Sequence, residues 1–459
     1  MTIHRTKRRV LFYSLVGVFL IITPLVIVVA VGYSINIQTL SLAPAGGIFI
    51  KTNQTGIMIF LDESPYKKTS FLVSGALMDA VSPGTHRVRI EKEGYRSWEK
   101  NIAVTQGLVS EYRSIMLIPV QPPRIDSKEF SILPPFQYYP SPRRIRNAII
   151  TQKDLTLLIQ NIESGKVIFK KKVKQIPHDI EWVGDDNLLV RANADDSEAS
   201  LFQISSDETI RELAINFLKT IKRQTLLEVR TNPADKKFLF ILGKDRVIYR
   251  YRIADGLIEP IVDQVVHFEL YNQRIGFVTQ NGFFATANLS GKDIQVIGRP
   301  GFFINGTFSS YPSEEGDVIA FVDGVGGFFI FQDTDRSIEP IMAGVKRVSF
   351  NTKKDKGLLQ RKNDLLALFL LRESTTPFRE RMSFKKLTKE TQQPIIDSAW
   401  YNDYYAIFTT SEGLFGAEIG IESDDYTIQK ISSEGGFLST NENIIAVINE
   451  KGIFRYAIE

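Results

Sequence analysis

Four histidines, His4, His86, His178 and His267, are the only imidazoles, and no two are spaced to share a metal from one helix or hairpin. Cysteine is absent, which removes thiol nucleophiles, disulfides and thiolate zinc sites. There is no Gly-x-Ser-x-Gly elbow and no phosphate-cradling glycine loop. Asp323-Gly324-Val325-Gly326-Gly327 is glycine-rich, yet it opens a strand and reads as a tight hairpin. Asp333-Thr334-Asp335-Arg336-Ser337 alternates oxygen-bearing side chains but lacks the turn glycine and distal glutamate of a calcium loop, so it reads as a solvated turn. No metal and no cofactor is expected. Lys170-Lys171-Lys172-Val173-Lys174 reads as an outer strand whose charges blunt edge pairing.

One further set of residues recurs at the heads of hydrophobic strands: Asp179 and Glu181, Glu228 and Arg230, His267 and Glu269, then Arg347 and Asp397. The first three pairs sit two residues apart, the spacing of one face of an extended strand. Brought to a common axis, these groups would line a mixed polar channel, lean toward acid, where a ligand could sit. Two carboxylates facing each other there could act as a hydrolytic pair. Such channels are usually polar for solvation alone, and no enzymatic activity is expected.

The elements that must carry these residues repeat. Asn187-Leu188-Leu189-Val190, Lys237-Phe238-Leu239-Phe240, Asp317-Val318-Ile319-Ala320-Phe321, Tyr405-Ala406-Ile407-Phe408 and Asn443-Ile444-Ile445-Ala446-Val447 are hydrophobic strands after polar turns. Each is followed by a second strand, as at Gly282-Phe283-Phe284 and Gly327-Phe328-Phe329. Equivalent positions fall at Leu157, Phe202, Tyr249, Phe284, Phe329, Leu368, Phe415 and Phe454, about 42 residues apart on average. A period near 40–45 with four short strands per unit predicts a β-propeller of seven or eight blades. Innermost strands are expected to begin near Asp179, Glu228, His267, Asn305, Arg347 and Asp397. The ring is expected over 144–459, and because the chain ends after the third strand of its last unit, a strand near 124–130 is expected to close it. A pair of stacked sandwiches is the rival architecture.

Seven prolines between Pro119 and Pro142 mark 119–143 as a connector. Ahead of it, residues 46–118 alternate with period two between glycine turns, the pattern of a small sandwich. Gly47-Ile48-Phe49-Ile50-Lys51-Thr52, Gly56-Ile57-Met58-Ile59-Phe60-Leu61-Asp62, Ser82-Pro83-Gly84-Thr85-His86-Arg87-Val88-Arg89-Ile90 and Glu93-Gly94-Tyr95-Arg96-Ser97-Trp98 resemble the PEGA domain, a small β module of bacterial and archaeal surface proteins. Gln54-Thr55-Gly56-Ile57 stands in place of the eponymous tetrapeptide. The resemblance implies binding to surface polymers or other proteins, and no catalytic residue carries over. Tyr95 and Trp98 are a possible carbohydrate-stacking pair, although packing against the sandwich is the simpler role.

Residues 10–31, VLFYSLVGVFLIITPLVIVVAV, contain no charge. As a helix they reach about 33 Å, against a hydrocarbon core of about 30 Å. Arg5, Lys7, Arg8 and Arg9 precede them, and no further Lys or Arg occurs before Lys51. The positive-inside bias therefore predicts a cytoplasmic tail at 1–9, a transmembrane helix at 10–32 and a stalk at 33–45, with the bulk extracytoplasmic. A cleaved signal peptide is the competing reading, but the apolar run is long for one. Beyond residue 9 the charges balance at 52 and 52, so no global field favours nucleic acid. The absence of cysteine leans toward a bacterial or archaeal source. The fold expected is mainly β: one membrane helix, a PEGA-like sandwich and a propeller. The function expected is that of a single-pass, membrane-anchored binding or scaffold protein of the cell envelope, with a surface polymer or envelope protein as partner. The alternatives are a tethered glycan hydrolase or lyase, or a subunit of a secretion or surface-assembly complex.

Overall fold

The computed structural model describes residues 5–457 apart from 37–40, 71, 125–135, 142–143, 163, 193–198, 215–225, 233–234, 313–317, 352, 354, 371–379, 389–392, 420–427, 442–443 and 450–451. His4 and most of the expected closing strand at 124–130 lie outside the described residues.

The chain opens with a helix, Arg5–Ala30, that contains Pro24. The helix begins ahead of the apolar run, so the basic residues lie on its first turns rather than in a separate tail. Its apolar side chains, among them Leu11, Phe12, Phe19, Leu20 and Ile21, are exposed. The stalk region is not an extended tether. Tyr33–Asn36 and Ser41–Pro44 pair as an antiparallel hairpin, and the Ala45 amide donates to the Gly32 carbonyl while the Gly107 amide donates to Ala45. Gly32 and Gly107 both have positive φ, and a Cβ on Gly32 would lie 2.4 Å from the Gly107 Cα. Only glycine allows that approach, which seats the helix exit on the small domain.

The small domain packs two sheets. One has the order Ser64–Lys68, Met58–Leu61, Gly84–Glu91, Trp98–Val104; the other places Gly46–Thr52 between Gly75–Val81 and a parallel Val109–Ile115. Ile48, Ile50, Ile59, Val88, Ile90, Trp98 and Ile102 fill the space between them, the alternate positions that the period-two pattern marks as inward.

Among the described residues, the rest of the chain forms eight antiparallel sheets: 136–172, 179–214, 226–262, 265–298, 309–342, 347–386, 397–432 and 437–457, blades 1 to 8. The first seven have four strands each and the eighth has three. All eight repeat positions from Leu157 to Phe454 fall on the third strand of a blade. The innermost strands are Phe136–Pro140, Asp179–Trp182, Leu226–Asn232, Val265–Tyr271, Ser309–Pro312, Arg347–Phe350, Asp397–Asn402 and Phe437–Asn441. The fifth starts at Ser309 rather than near Asn305. Alternating side chains on each strand face opposite neighbours. Ala148 and Ile150 pack toward blade 2 with Leu188 and Phe202, and Ile149 packs the other way with Leu158 and Ile453.

The ring does not begin at 144. Phe136–Pro140 is the innermost strand of blade 1, inside the stretch expected as connector. Proline is tolerated there because one edge of an innermost strand faces the axis, where no ladder donor is needed. The start of that stretch is also pinned. Tyr95 bridges Pro119, the Val120 amide donates to Gly94, and Met116 and Ile118 enter the core shared by blades 7 and 8. Arg124 bridges Tyr456 on the last strand, the Ala457 amide donates to the Pro123 carbonyl, and the Arg124 guanidinium lies 4.4 Å from the Phe454 ring centroid. Proline lacks a donor but keeps its carbonyl, so it can still pair at an edge.

Candidate functional site: the ring axis, the seam and the far rim

The eight residues expected at the axis all lie on innermost strands, and the structure gathers them into two ion clusters. In the first, Arg230 on blade 3 is the hub. Its guanidinium lies 3.1 Å from Glu181 on blade 2, 3.1 Å from Glu269 on blade 4 and 3.8 Å from Glu228 on its own strand. Arg191 holds Asp179 and Glu181 at 3.0 Å each. The Nδ1 of His267 lies 2.7 Å from Glu228, and the Ser310 hydroxyl donates to Glu269 at 2.6 Å. His267 is fully buried, stacked on Phe308 and edge-on to Phe321. Burial alone would raise the Glu228 carboxyl; His267, by charge and hydrogen bond, and Arg230 together hold it below its ordinary range.

The second cluster centres on Asp397 of blade 7. Arg144, in the turn after the innermost strand of blade 1, grips it with two bonds of 2.8 Å. Arg347 of blade 6 donates at 2.7 Å, and the amides of Ser398 and Leu438 donate at 2.9 and 2.8 Å. Arg144 also donates to the Leu438 carbonyl on blade 8. The Ser439 hydroxyl donates to the Arg144 carbonyl at 2.8 Å, and the Tyr138 hydroxyl donates to Asn147 at 2.7 Å. Burial pushes Asp397 up, but Arg144 and Arg347 outweigh it and hold the carboxyl below its ordinary value. This cluster sits where the two ends of the ring meet.

A hydrolytic pair needs two carboxylates facing an open space that holds the substrate. Here the carboxylates of Asp179, Glu181, Glu228, Glu269 and Asp397 all face arginines, and both oxygens of Asp397 are occupied as acceptors. The arrangement is chemically an electrostatic staple across adjacent blades. Sequence reasoning missed Arg144, Arg191 and Ser310. Arg191 closes the Asn187-Leu188-Leu189-Val190 phrase and so had a local signal. Arg144 had none, since its partner lies 253 residues away.

The small domain is joined to blade 7 by a buried polar contact. Lys100 and Glu418 pair at 3.2 Å with both side chains almost fully buried, and the Trp98 indole donates to the same Glu418 carboxylate at 3.0 Å. The Met116 amide donates to the Tyr405 hydroxyl at 3.0 Å. Burial, reinforced by the Glu418 charge, raises Tyr405 well above its ordinary value. Trp98 is therefore closed to carbohydrate stacking, and packs edge-on against Tyr112. Tyr95 stays partly exposed beneath Lys92. A cleft of about 290 Å³ follows this seam, lined by Asn53, Arg113, Met116, Tyr401 and Tyr404 among others.

Arg9, the one member of the basic quartet whose side chain is described, is exposed at the start of the helix; Arg5, Lys7 and Arg8 lie on the same turns. The lysine run falls on Val167–Lys172, the outermost strand of blade 1, where Lys171 pairs with Glu212 of blade 2. Asp333-Thr334-Asp335-Arg336-Ser337 joins the outer strands of blade 5. Asp323 shapes the predicted hairpin: its carboxylate accepts from the amides of Val325 and Gly327, and from Phe303 on the neighbouring loop. This hairpin lies at the end of the ring opposite the seam, because the seam engages the turn after an innermost strand and the hairpin follows a second strand.

Around it the far rim carries an uncovered apolar patch that sequence reasoning did not single out. Phe283, Phe303 and Val325 are 39%, 45% and 63% exposed. Arg299 lies 5.6 Å from the Phe283 ring centroid, and a Cβ on Gly306 would lie 2.9 Å from the Gly324 Cα, so the two loops meet backbone to backbone.

Residues 45–113 match the PEGA domain family. No curated protein sequence matches the chain. Among solved structures, the chain is similar to Hsv2 of Kluyveromyces lactis, at 10% identity over 64% of this chain and 98% of that one, with a TM-score of 0.44. It is similar to the Cps50 (Swd1) β-propeller domain of Myceliophteria thermophila, at 12% identity over 73% of this chain and 98% of that one, with a TM-score of 0.43. A third likeness is to dihydro-heme d1 dehydrogenase NirN, at 11% identity over 70% and 72% of the two chains, with a TM-score of 0.46. No function is carried over from these structures. The chain joins a PEGA domain at residues 45–113 to a β-propeller of eight sheets.

Proposed function

We propose that the chain is a membrane-anchored, extracytoplasmic binding or scaffold protein of the cell envelope. Its helix is held in the bilayer with the basic end inward, its PEGA domain stands at the membrane, and its propeller offers the far rim to a surface polymer or protein partner. The observation that carries this reading is the buried Lys100–Glu418–Trp98 seam, which binds the ring by one end and leaves the other open. Support comes from the helix, whose apolar Arg9–Val28 span is long enough to cross a bilayer and is not covered by the rest of the protein, and from the patch at Phe283, Phe303 and Val325. An exposed cluster of large apolar side chains is the usual mark of an interaction site.

A photo-crosslinking residue at Val325 in intact cells is expected to capture a discrete partner. Phe283→Asp with Phe303→Asp is expected to abolish that product, with a stability cost of about 1 kcal/mol for each half-buried site. Capture from Leu257, at the opposite end of the ring, with none from Val325 would contradict the assignment of the face.

A further inference from the structure

We infer that the PEGA domain makes its own contact with the lipid surface, through the turn after Trp98–Val104 and the adjoining outer face of the three-stranded sheet. This rests on the membrane-anchored reading above and adds a second point of attachment. The apolar run of the helix ends at Val31, so Val31 marks the edge of the hydrocarbon layer. The next residue, Gly32, packs directly on Gly107, and the Gln106 side-chain amide lies 3.5 Å from the Val31 carbonyl. The turn is therefore fixed at the level where the helix leaves the bilayer. An interfacial segment buries its apolar face about 5–10 Å into that boundary.

The residues next to the contact have the composition such a layer accepts. Leu108 is 57% exposed, Val109 44% and Leu77 46%. Val109 and Leu77 flank Gly47, their methyl carbons 3.3 and 3.7 Å from where its Cβ would stand, so they form one surface. Leu42, on the hairpin that follows the helix, is 56% exposed. Continuity with the helix identifies the occupant as the bilayer: among the described residues, no other partner is brought to this face by the fold of the chain itself. With the helix as one point and this face as another, the ring would keep a set tilt over the membrane.

The absence of cysteine makes the test direct. Full-length Leu108→Cys, Leu20→Cys and Val325→Cys variants, each labelled with nitrobenzoxadiazole, would be reconstituted into phosphatidylcholine and phosphatidylglycerol vesicles. Lipids with nitroxides at shallow or deep acyl positions would serve as quenchers. The label at 108 is expected to shift to the blue and lose emission to the shallow quencher, the label at 20 to the deep quencher, and the label at 325, on the far rim, to neither. Quenching at 20 with a water-like spectrum at 108 would overturn the second contact and leave the anchor standing. Loss of quenching at both positions would overturn the anchor, and this inference with it.

Discussion

Asp397→Ala is expected to lower the unfolding free energy by about 3–5 kcal/mol, the cost of leaving a buried charge without its partner. The residue left behind is Arg144, whose side chain is 5% exposed. The loss should be large because of where the pair sits. Other neighbouring blades share broad apolar cores, as blades 4 and 5 do through Phe284, Phe302, Phe321, Phe329 and Phe331. Between blades 8 and 1 the apolar cluster is small, with Ile149 and Leu158 its buried members among the described residues. Arg144 and Asp397 thus tie blades 1 and 7 across the joint where a propeller is weakest, with Leu438 of blade 8 held between them. Urea unfolding followed by tryptophan emission measures the change, and Trp182 and Trp400 lie within the ring. Arg144→Met together with Asp397→Leu should recover most of the loss, because a well-packed apolar pair can replace a buried ion pair. A loss below about 1 kcal/mol for Asp397→Ala would show that the clamp is incidental. The pH dependence has a fixed sign. The folded-state carboxyl lies below the ordinary aspartate value of 3.8, so its contribution is present above that value and disappears as pH falls through the folded-state value.

Glu418→Ala is expected to have the second large effect, again about 3–5 kcal/mol, with a different signature. It leaves Lys100 charged at 2% exposure and removes the acceptor of the Trp98 indole. The damage falls on the seam and not inside either domain. Calorimetry should therefore resolve one cooperative transition into two, with the PEGA domain melting apart from the ring. Lys100→Met in the same chain should restore part of the coupling, since the interface then no longer buries an ammonium that has lost the Glu418 carboxylate. A single unchanged transition in Glu418→Ala would mean that the apolar contacts of Met116 and Ile118 suffice to hold the two bodies together.

The repeat was legible because blade packing imposes it. Third strands lie between neighbouring blades and are mostly buried, that of blade 3 less so, so their hydrophobic residues recur at every turn of the ring, and all eight marks from Leu157 to Phe454 sit on such strands. The small domain was legible for a similar reason, as Ile48 and Ile50 alternate with Phe49 and Lys51, and Val88 and Ile90 with Arg87, Arg89 and Glu91, between glycine turns. Two things were hidden. The innermost strand of blade 1 was masked by prolines that an axis-facing edge tolerates. The polar joints were hidden because they depend on distance in space alone: Arg144 meets Asp397 across 253 residues, and Trp98 meets Glu418 across 320. At the axis, sequence spacing pointed to residues that lie on innermost strands, but it could not show that the arginines would take up their carboxylates.

Topology is the most direct test of the whole account, and a cysteine-free chain makes it simple. A membrane-impermeant maleimide applied to intact cells should label Ser290→Cys, on an exposed turn of blade 4, without lysis, while Thr6→Cys at the start of the helix reacts only after the membrane is opened. Labelling of Thr6→Cys from outside, or recovery of a product lacking the helix from the medium, would contradict a ring held outside the cell by its own first 30 residues.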